Sequence, residues 1–148
     1  MREVRVAAYT GLLRGMEMPS TGTPPLYCLA YVRILGDDPP TWEVVDEDPE
    51  GLAALAPLHL PVAPASACDG QRGLGAEEVD RTVRVTIELI ERPEPSVAVV
   101  RFGVWTRPGT GPSGSPRGKG WAVRLARVEG TWQTRGRERT WSRPLSSE

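Results

Sequence analysis

The side chains able to do acid–base chemistry in this 148-residue chain are few and poorly spaced for it. His59 is the only histidine, set between Leu58 and Leu60 with Pro61 behind them, and Asp69 follows on the same stretch, 57–76, which is rich in Pro, Gly and small residues. A general base must come within hydrogen-bond reach of the proton it removes. His59 and Asp69 are therefore catalytic candidates only if that stretch folds over a cavity built elsewhere, and a lone histidine among leucines is more often a packed or surface residue.

Three further patterns were tested and fail. Asp46-Glu47-Asp48-Pro49-Glu50-Gly51 has the oxygens and the glycine of the first half of a calcium loop, but Pro57 stands where the bidentate Glu is needed, and Pro49 is at position 4. Acidic residues opening a short helix, 49–56, fit better, since they complement its dipole. Gly118-Lys119 has neither the upstream glycine of a phosphate loop, where Ser113 stands, nor the Ser or Thr that would follow, where Gly120 stands. Cys28 and Cys68 lack the spacing of a metal knuckle and allow at most one disulfide, which the spacing leaves open. Cys28 lies in an apolar run and reads as a small core residue rather than a reactive thiol. No metal or cofactor is expected.

Binding residues are easier to nominate. Net charge is −1, but residues 1–100 carry 8 basic against 16 acidic side chains and 101–148 carry 10 against 3, so the two parts stand at −8 and +7. The plainer reading is that they attract each other within the fold; the sharper one is a basic surface for an anionic partner. Trp105, Arg101, Trp121 and Arg124 are the candidates for contact with a ligand or partner. Arg127, Arg135, Arg137 and Arg139 with Trp132 and Trp141 add charge and stacking surface for a polyanion. The overall charge argues against nucleic acid.

These residues have to be positioned by a recognisable set of elements. Val6, Tyr9, Leu12, Leu13 and Met16 recur at spacings of three and four and predict an amphipathic helix over 3–16, with Arg5 and Arg14 off its apolar stripe. Gly11 and Gly15 each weaken it by about 1 kcal/mol relative to Ala, so it must dock to persist. Leu26–Leu35 predicts a strand buried on both faces, and 41–45 a short partner. The stretch 57–79 shows neither period.

From Asp80 to Trp141 the alternation predicts a four-stranded meander. Its inward face would be Val83, Val85, Ile87, Leu89, Ala98, Val100, Phe102, Val104, Trp121, Val123 and Leu125, none of them an acid or base. The outward face of the strand 96–106 is also partly apolar and could meet a second copy of the chain. Residues 107–120 read as a flexible excursion, Glu129-Gly130 as a tight hairpin turn, and the end of the chain as frayed. No apolar run approaches the roughly 20 residues of a membrane span. The sequence as given reads as cytoplasmic, or as exported if a leader has been removed.

An N-terminal helix, a Pro-broken middle and a meander whose last hairpin reads V-E-G-T-W, Val128 to Trp132, resemble the cystatin-like cone of the nuclear transport factor 2-like superfamily. The chain also resembles small bacterial proteins with a Y-x-x-L-L-R helix, here Tyr9 to Arg14, and a Y-V strand, here Tyr31-Val32. The resemblance implies an α+β fold in which a curved antiparallel sheet of four to six strands wraps the N-terminal helix. It also implies a pocket that in the superfamily's isomerases, dehydratases and cyclases holds an Asp, His or Tyr, whereas the inward strand residues here offer none. The expectation is a non-catalytic domain binding a protein or small molecule, with a small-molecule enzyme and a polyanion binder as alternatives.

Overall fold

The computed structural model describes residues 2–14, 25–69, 82–106 and 117–144. The elements in chain order are α1 (Arg2–Leu13), β1 (Leu26–Asp37), β2 (Pro40–Asp46), α2 (Pro49–Ala54), a 3-10 turn (Ala56–Leu58), β3 (Val62–Pro64), α3 (Ser66–Asp69), β4 (Thr82–Glu94), β5 (Val97–Thr106), β6 (Arg117–Val128) and β7 (Thr131–Pro144). The seven strands form one open, curved sheet, more than the four to six expected. Its order is β2-β1-β4-β5-β6-β7, with β3 beside the first half of β1. Pairing is antiparallel except where β1 meets β3 and β4. The fold is α+β, as the pattern predicts, and β2 and β7 are its two edges.

Helix α1 lies on the inner face of this sheet. Ala8, Tyr9 and Leu12 are fully buried against Leu29, Val85, Val100, Phe102, Val123 and Leu125, and the rings of Tyr9 and Phe102 meet at 5.8 Å. Burying a Leu- or Phe-sized side chain contributes about 1.5–3 kcal/mol, so this contact is the main reason a twelve-residue helix holds. Arg137 adds a tie: its Nη1 donates to the Leu12 carbonyl at 2.9 Å, at the end of the helix where carbonyls lack intrahelical partners.

The structure departs from the sequence reading at several places, each with a local cause. The apolar stripe of α1 is rotated: Val4 and Arg5 are buried while Val6 is only half-buried, because Arg5 finds a counter-charge inside. Strand β1 is buried only through Ala30, and its far half projects beyond the neighbouring strands, where only β2 pairs with it. The stretch read as irregular supplies β3, which pairs parallel with β1 from Tyr27 to Leu29.

In β4 a register shift between Ile87 and Leu89 inserts Glu88. Such a bulge flips every later residue to the other face. Leu89 is therefore 45% exposed opposite Arg101, and Ile90 takes its place against the core. Strand β6 begins at Arg117, earlier than expected, and β7 continues to Pro144, past the Trp141 end expected for the meander. The Glu129-Gly130 turn is as read: both residues have positive φ, 51° and 79°, the backbone of a type I′ hairpin. Met16, Gly15 and the excursion 107–116 lie outside the described residues.

Candidate functional site

The ionisable groups nearest the core form one closed cluster. Glu47 leaves β2 and enters the space between sheet and helix, held by its own N–H donating to the Leu29 carbonyl at 3.1 Å. Its side chain is wholly buried. Arg5 donates Nε to Oε2 and Nη2 to Oε1, both at 2.9 Å, and the Tyr9 hydroxyl lies 2.9 Å from Oε2 and 3.1 Å from the Ala30 carbonyl. The Arg5 guanidinium also stacks 4.0 Å from the Tyr31 ring centre. Asp48, next along, caps α2 by accepting from Gly51 N–H at 2.6 Å.

The electrostatics follow from this packing. Burial on its own would lower the Arg5 pKa, but the hydrogen bond and charge of Glu47 outweigh it and hold the guanidinium charged, above its ordinary value. Burial first, and then the negative charge and hydrogen bond of Glu47, push the Tyr9 phenol well above the usual tyrosine range. Asp48 is held below the ordinary carboxyl range by the Gly51 N–H and by Arg2 and Arg5.

A raised folded-state pKa means the folded protein keeps the Tyr9 proton after the unfolded chain has released its own. The stability associated with Tyr9 is then complete below about pH 10, the unfolded value, and declines as pH rises toward the folded pKa. A Tyr9→Phe variant should show a shallower alkaline loss of stability than wild type in denaturation series from pH 8 upward, and equal slopes would sink the assignment.

Chemically the cluster is closed. Both Glu47 oxygens are occupied by Arg5 and Tyr9, and among the described residues no buried side-chain nitrogen or oxygen lacks a partner. A carboxylate in this state has no free lone pair aimed at a pocket. It orders α1 against β2 rather than offering a base.

The residues nominated from sequence are not brought to one place. His59 is exposed, in the left-handed region at φ 55°, where it closes the 3-10 turn by donating its N–H to the Ala56 carbonyl at 3.0 Å. Asp69 ends α3, and its side chain is outside the described residues. Arg101 pairs with Glu91 at 2.6 Å on the outer face, where Arg124 is also exposed. Trp105 leans on Trp141 with ring centres 5.6 Å apart. These two rings cover Gly118 and Gly120: a Cβ on Gly118 would lie 2.6 Å from Trp105 Cη2, so the glycines exist to let the rings lie flat. Trp121 is elsewhere, half-buried on the inner face with Arg137 and Arg139 at 5.2 and 5.3 Å from its ring centre.

Comparison with protein-family models, with curated proteins and with solved structures returned no match. The surface therefore has to speak for itself, and two places on it stand out.

The first is the β1–β2 hairpin. Ile34, Leu35, Trp42 and Val44 are between 58 and 65% exposed, four of the five large exposed hydrophobic residues among those described. Cross-strand pairing sets half-buried Val32 opposite Val44 and Ile34 opposite Trp42, so Val32, Ile34, Trp42 and Val44 share one face, while the Arg33–Glu43 ion pair lies on the other and Leu35 is an inserted residue. Strand β2 is also an edge. The sequence reading missed this patch because it took β1 as buried throughout.

The second is a groove of about 1090 Å³ between α1 and β7, bordered by Arg2, Arg14, Arg135 and Arg137. Of these arginines, Arg2 pairs with Asp48 and Glu50, while Arg14 and Arg135 have no ion pair among the described residues. Among ion pairs joining described residues, only Arg101–Glu91 links residues 101–148 to residues 1–100. No described helix is long and apolar enough to cross a membrane.

Proposed function

We propose that this chain is a non-catalytic protein-interaction domain, and that the β1–β2 hairpin is where a partner docks. The observation that carries the reading is the strip of exposed Ile34, Trp42 and Val44 with half-buried Val32, lying along a strand edge that is unpaired among the described residues. Exposed apolar patches of a few hundred Å² on a monomer are often functional, and an open edge adds unpaired backbone groups that another strand can satisfy. A non-catalytic reading is further supported by the closed Arg5–Glu47–Tyr9 cluster and by the exposed turn position of His59.

The partner we propose is a second copy. Antiparallel pairing of two β2 edges about a two-fold axis sets Trp42 of one copy opposite Val44 of the other and keeps the apolar strip continuous on one face. We place the two-copy contact, expected from sequence on the outer sheet face, at the sheet edge instead, because exposed apolar side chains and an edge strand coincide there. A bonded Cys28 favours an oxidising compartment over the cytoplasm. The cone resemblance is retained as a proposal about architecture only.

Sedimentation velocity tests this. Wild type should pass from monomer to dimer between about 1 and 100 µM, and Trp42→Ser and Val44→Lys should each weaken dimerisation by about tenfold or more. Both positions are exposed, so thermal stability of the variants should stay within about 0.5 kcal/mol of wild type. A wild type that is monomeric throughout, or variants that dimerise unchanged, would overturn the reading.

A further inference from the structure

The other free edge of the sheet is built differently. Among the described residues no strand pairs with the outer side of β7. Helix α1 runs alongside and turns Glu3, Ala7, Thr10 and Arg14 toward the gap, residues three and four apart that share one helix face. Across from them the groove is lined by eight consecutive residues, 130–137. Through 131–134, where successive residues point to opposite faces, a lining that skips none of them follows the backbone of the strand rather than a pit between side chains. The floor is small at Ala7, Gly130 and Gly136, while at Gly11 the helix packs directly on Thr134.

We propose that this groove binds an extended acidic peptide segment of another protein, added to β7 as a further strand. A strand edge beside a helix is the arrangement in which main-chain hydrogen bonds give affinity and flanking side chains give selectivity. The selectivity here is for negative charge, since four arginines, Arg2, Arg14, Arg135 and Arg137, face a single glutamate, Glu3. Arg2 is engaged with Asp48 and Glu50, and Arg137 with Leu12. Arg14 and Arg135 have no ion pair among the described residues and lie at the two sides of the groove, on helix and strand respectively. From 131 to 134 the strand offers a regular run, roughly 13 Å at the rise of a β-strand, which ends at a bulge formed by the inserted Arg135.

A nucleic acid is the other anion to consider, and the geometry favours it less. Single-stranded binding relies on aromatic faces on which bases stack. The tryptophan of this groove, Trp132, packs against the core and carries the Arg92 guanidinium 5.0 Å from its ring centre. The groove offers charge and a strand edge instead of a stacking platform. The proposal does not depend on dimerisation through β2.

The test uses the full chain and fluorescein-labelled octapeptides, read by anisotropy and by amide hydrogen exchange. An alternating Glu-Val peptide should bind and slow exchange of amides in 131–134. The same peptide with every backbone nitrogen methylated has the same charge but cannot donate to an edge, and should bind about tenfold or more weakly; a Lys-Val peptide should not bind. Arg14→Glu with Arg135→Glu should weaken the Glu-Val peptide by about tenfold or more. Both positions are exposed, and unchanged circular dichroism of the double variant checks that it folds. Equal binding of the N-methylated peptide, no binding of the Glu-Val peptide, or tighter binding of a single-stranded oligonucleotide of equal charge would each overturn the proposal.

Discussion

Glu47→Ala should lower the unfolding free energy by about 3–5 kcal/mol, the cost of leaving one member of a buried ion pair without the other. The cause is specific. Arg5 would keep its charge in a site that is 7% exposed, and the Tyr9 hydroxyl would retain only the Ala30 carbonyl. Whole domains are stable by about 5–15 kcal/mol, so the variant should sit near the edge of folding.

Removing both charges should cost far less. Arg5→Met with Glu47→Leu, which fills the same space without ions, is expected within about 2 kcal/mol of wild type, because a buried pair contributes little net stability once its desolvation is counted. Urea denaturation of wild type, Arg5→Met, Glu47→Leu and the double variant forms a double-mutant cycle. A Glu47→Ala cost below about 1 kcal/mol would mean the pair is solvated and the cluster is not closed.

The second large effect concerns Gly11. A Cβ there would lie 2.9 Å from Thr134 Cγ2 and 3.1 Å from Thr134 Cβ, closer still to Oγ1. Thr134 is branched at the contact and cannot swing away as a long side chain would. Two effects oppose each other in Gly11→Ala: better helix propensity gains about 1 kcal/mol, and overpacking costs about 1–3 kcal/mol. The clash should win, with a net loss of about 1 kcal/mol, and Gly11→Val should lose about 3 kcal/mol. Trimming the partner reverses the sign. Gly11→Ala with Thr134→Gly should melt higher than Gly11→Ala alone, and failure of that rescue would separate the glycine from the packing of α1 on β7.

Gly11 also illustrates what the sequence could and could not convey. Its cost to an isolated helix is visible from propensity alone, and it correctly implies a docked helix. The reason for it, a strand residue more than a hundred positions away, is a tertiary fact. The alternation in β5 and β6 was legible because one face is buried from end to end, which makes Val100, Phe102, Val123 and Leu125 unambiguous. Leu89 was misplaced because a single inserted residue shifts the parity of everything after it, and Glu88 carries no local mark of a bulge.

The buried cluster was partly legible. Arg5 and Tyr9 are four apart, so they had to share a helix face, and a charged residue beside the apolar stripe could have prompted a search for its counter-ion. Which of the acids in 46–50 would answer could not be read, since Asp46, Glu47 and Asp48 differ only in where the end of β2 points them. Asp46 accepts from the Ser66 N–H, Glu47 goes inward and Asp48 caps α2. The exposed half of β1 was hidden for the opposite reason. LYCLAYVRIL is apolar apart from Arg33, and composition cannot tell a strand covered on both faces from one whose second half awaits a partner.

The strand order has one more consequence. It sets β2, α2 and their carboxylates at one border of the sheet and the arginines of β6 and β7 at the other, so the molecule has a permanent charge dipole across its width despite a net charge of only −1. A molecule of this kind is turned by the field of an approaching anion before contact, with the β7 border leading. Its encounter rate with acidic segments should therefore fall with added salt as screening shortens that field, while the lifetime of a complex already seated on the strand edge changes little.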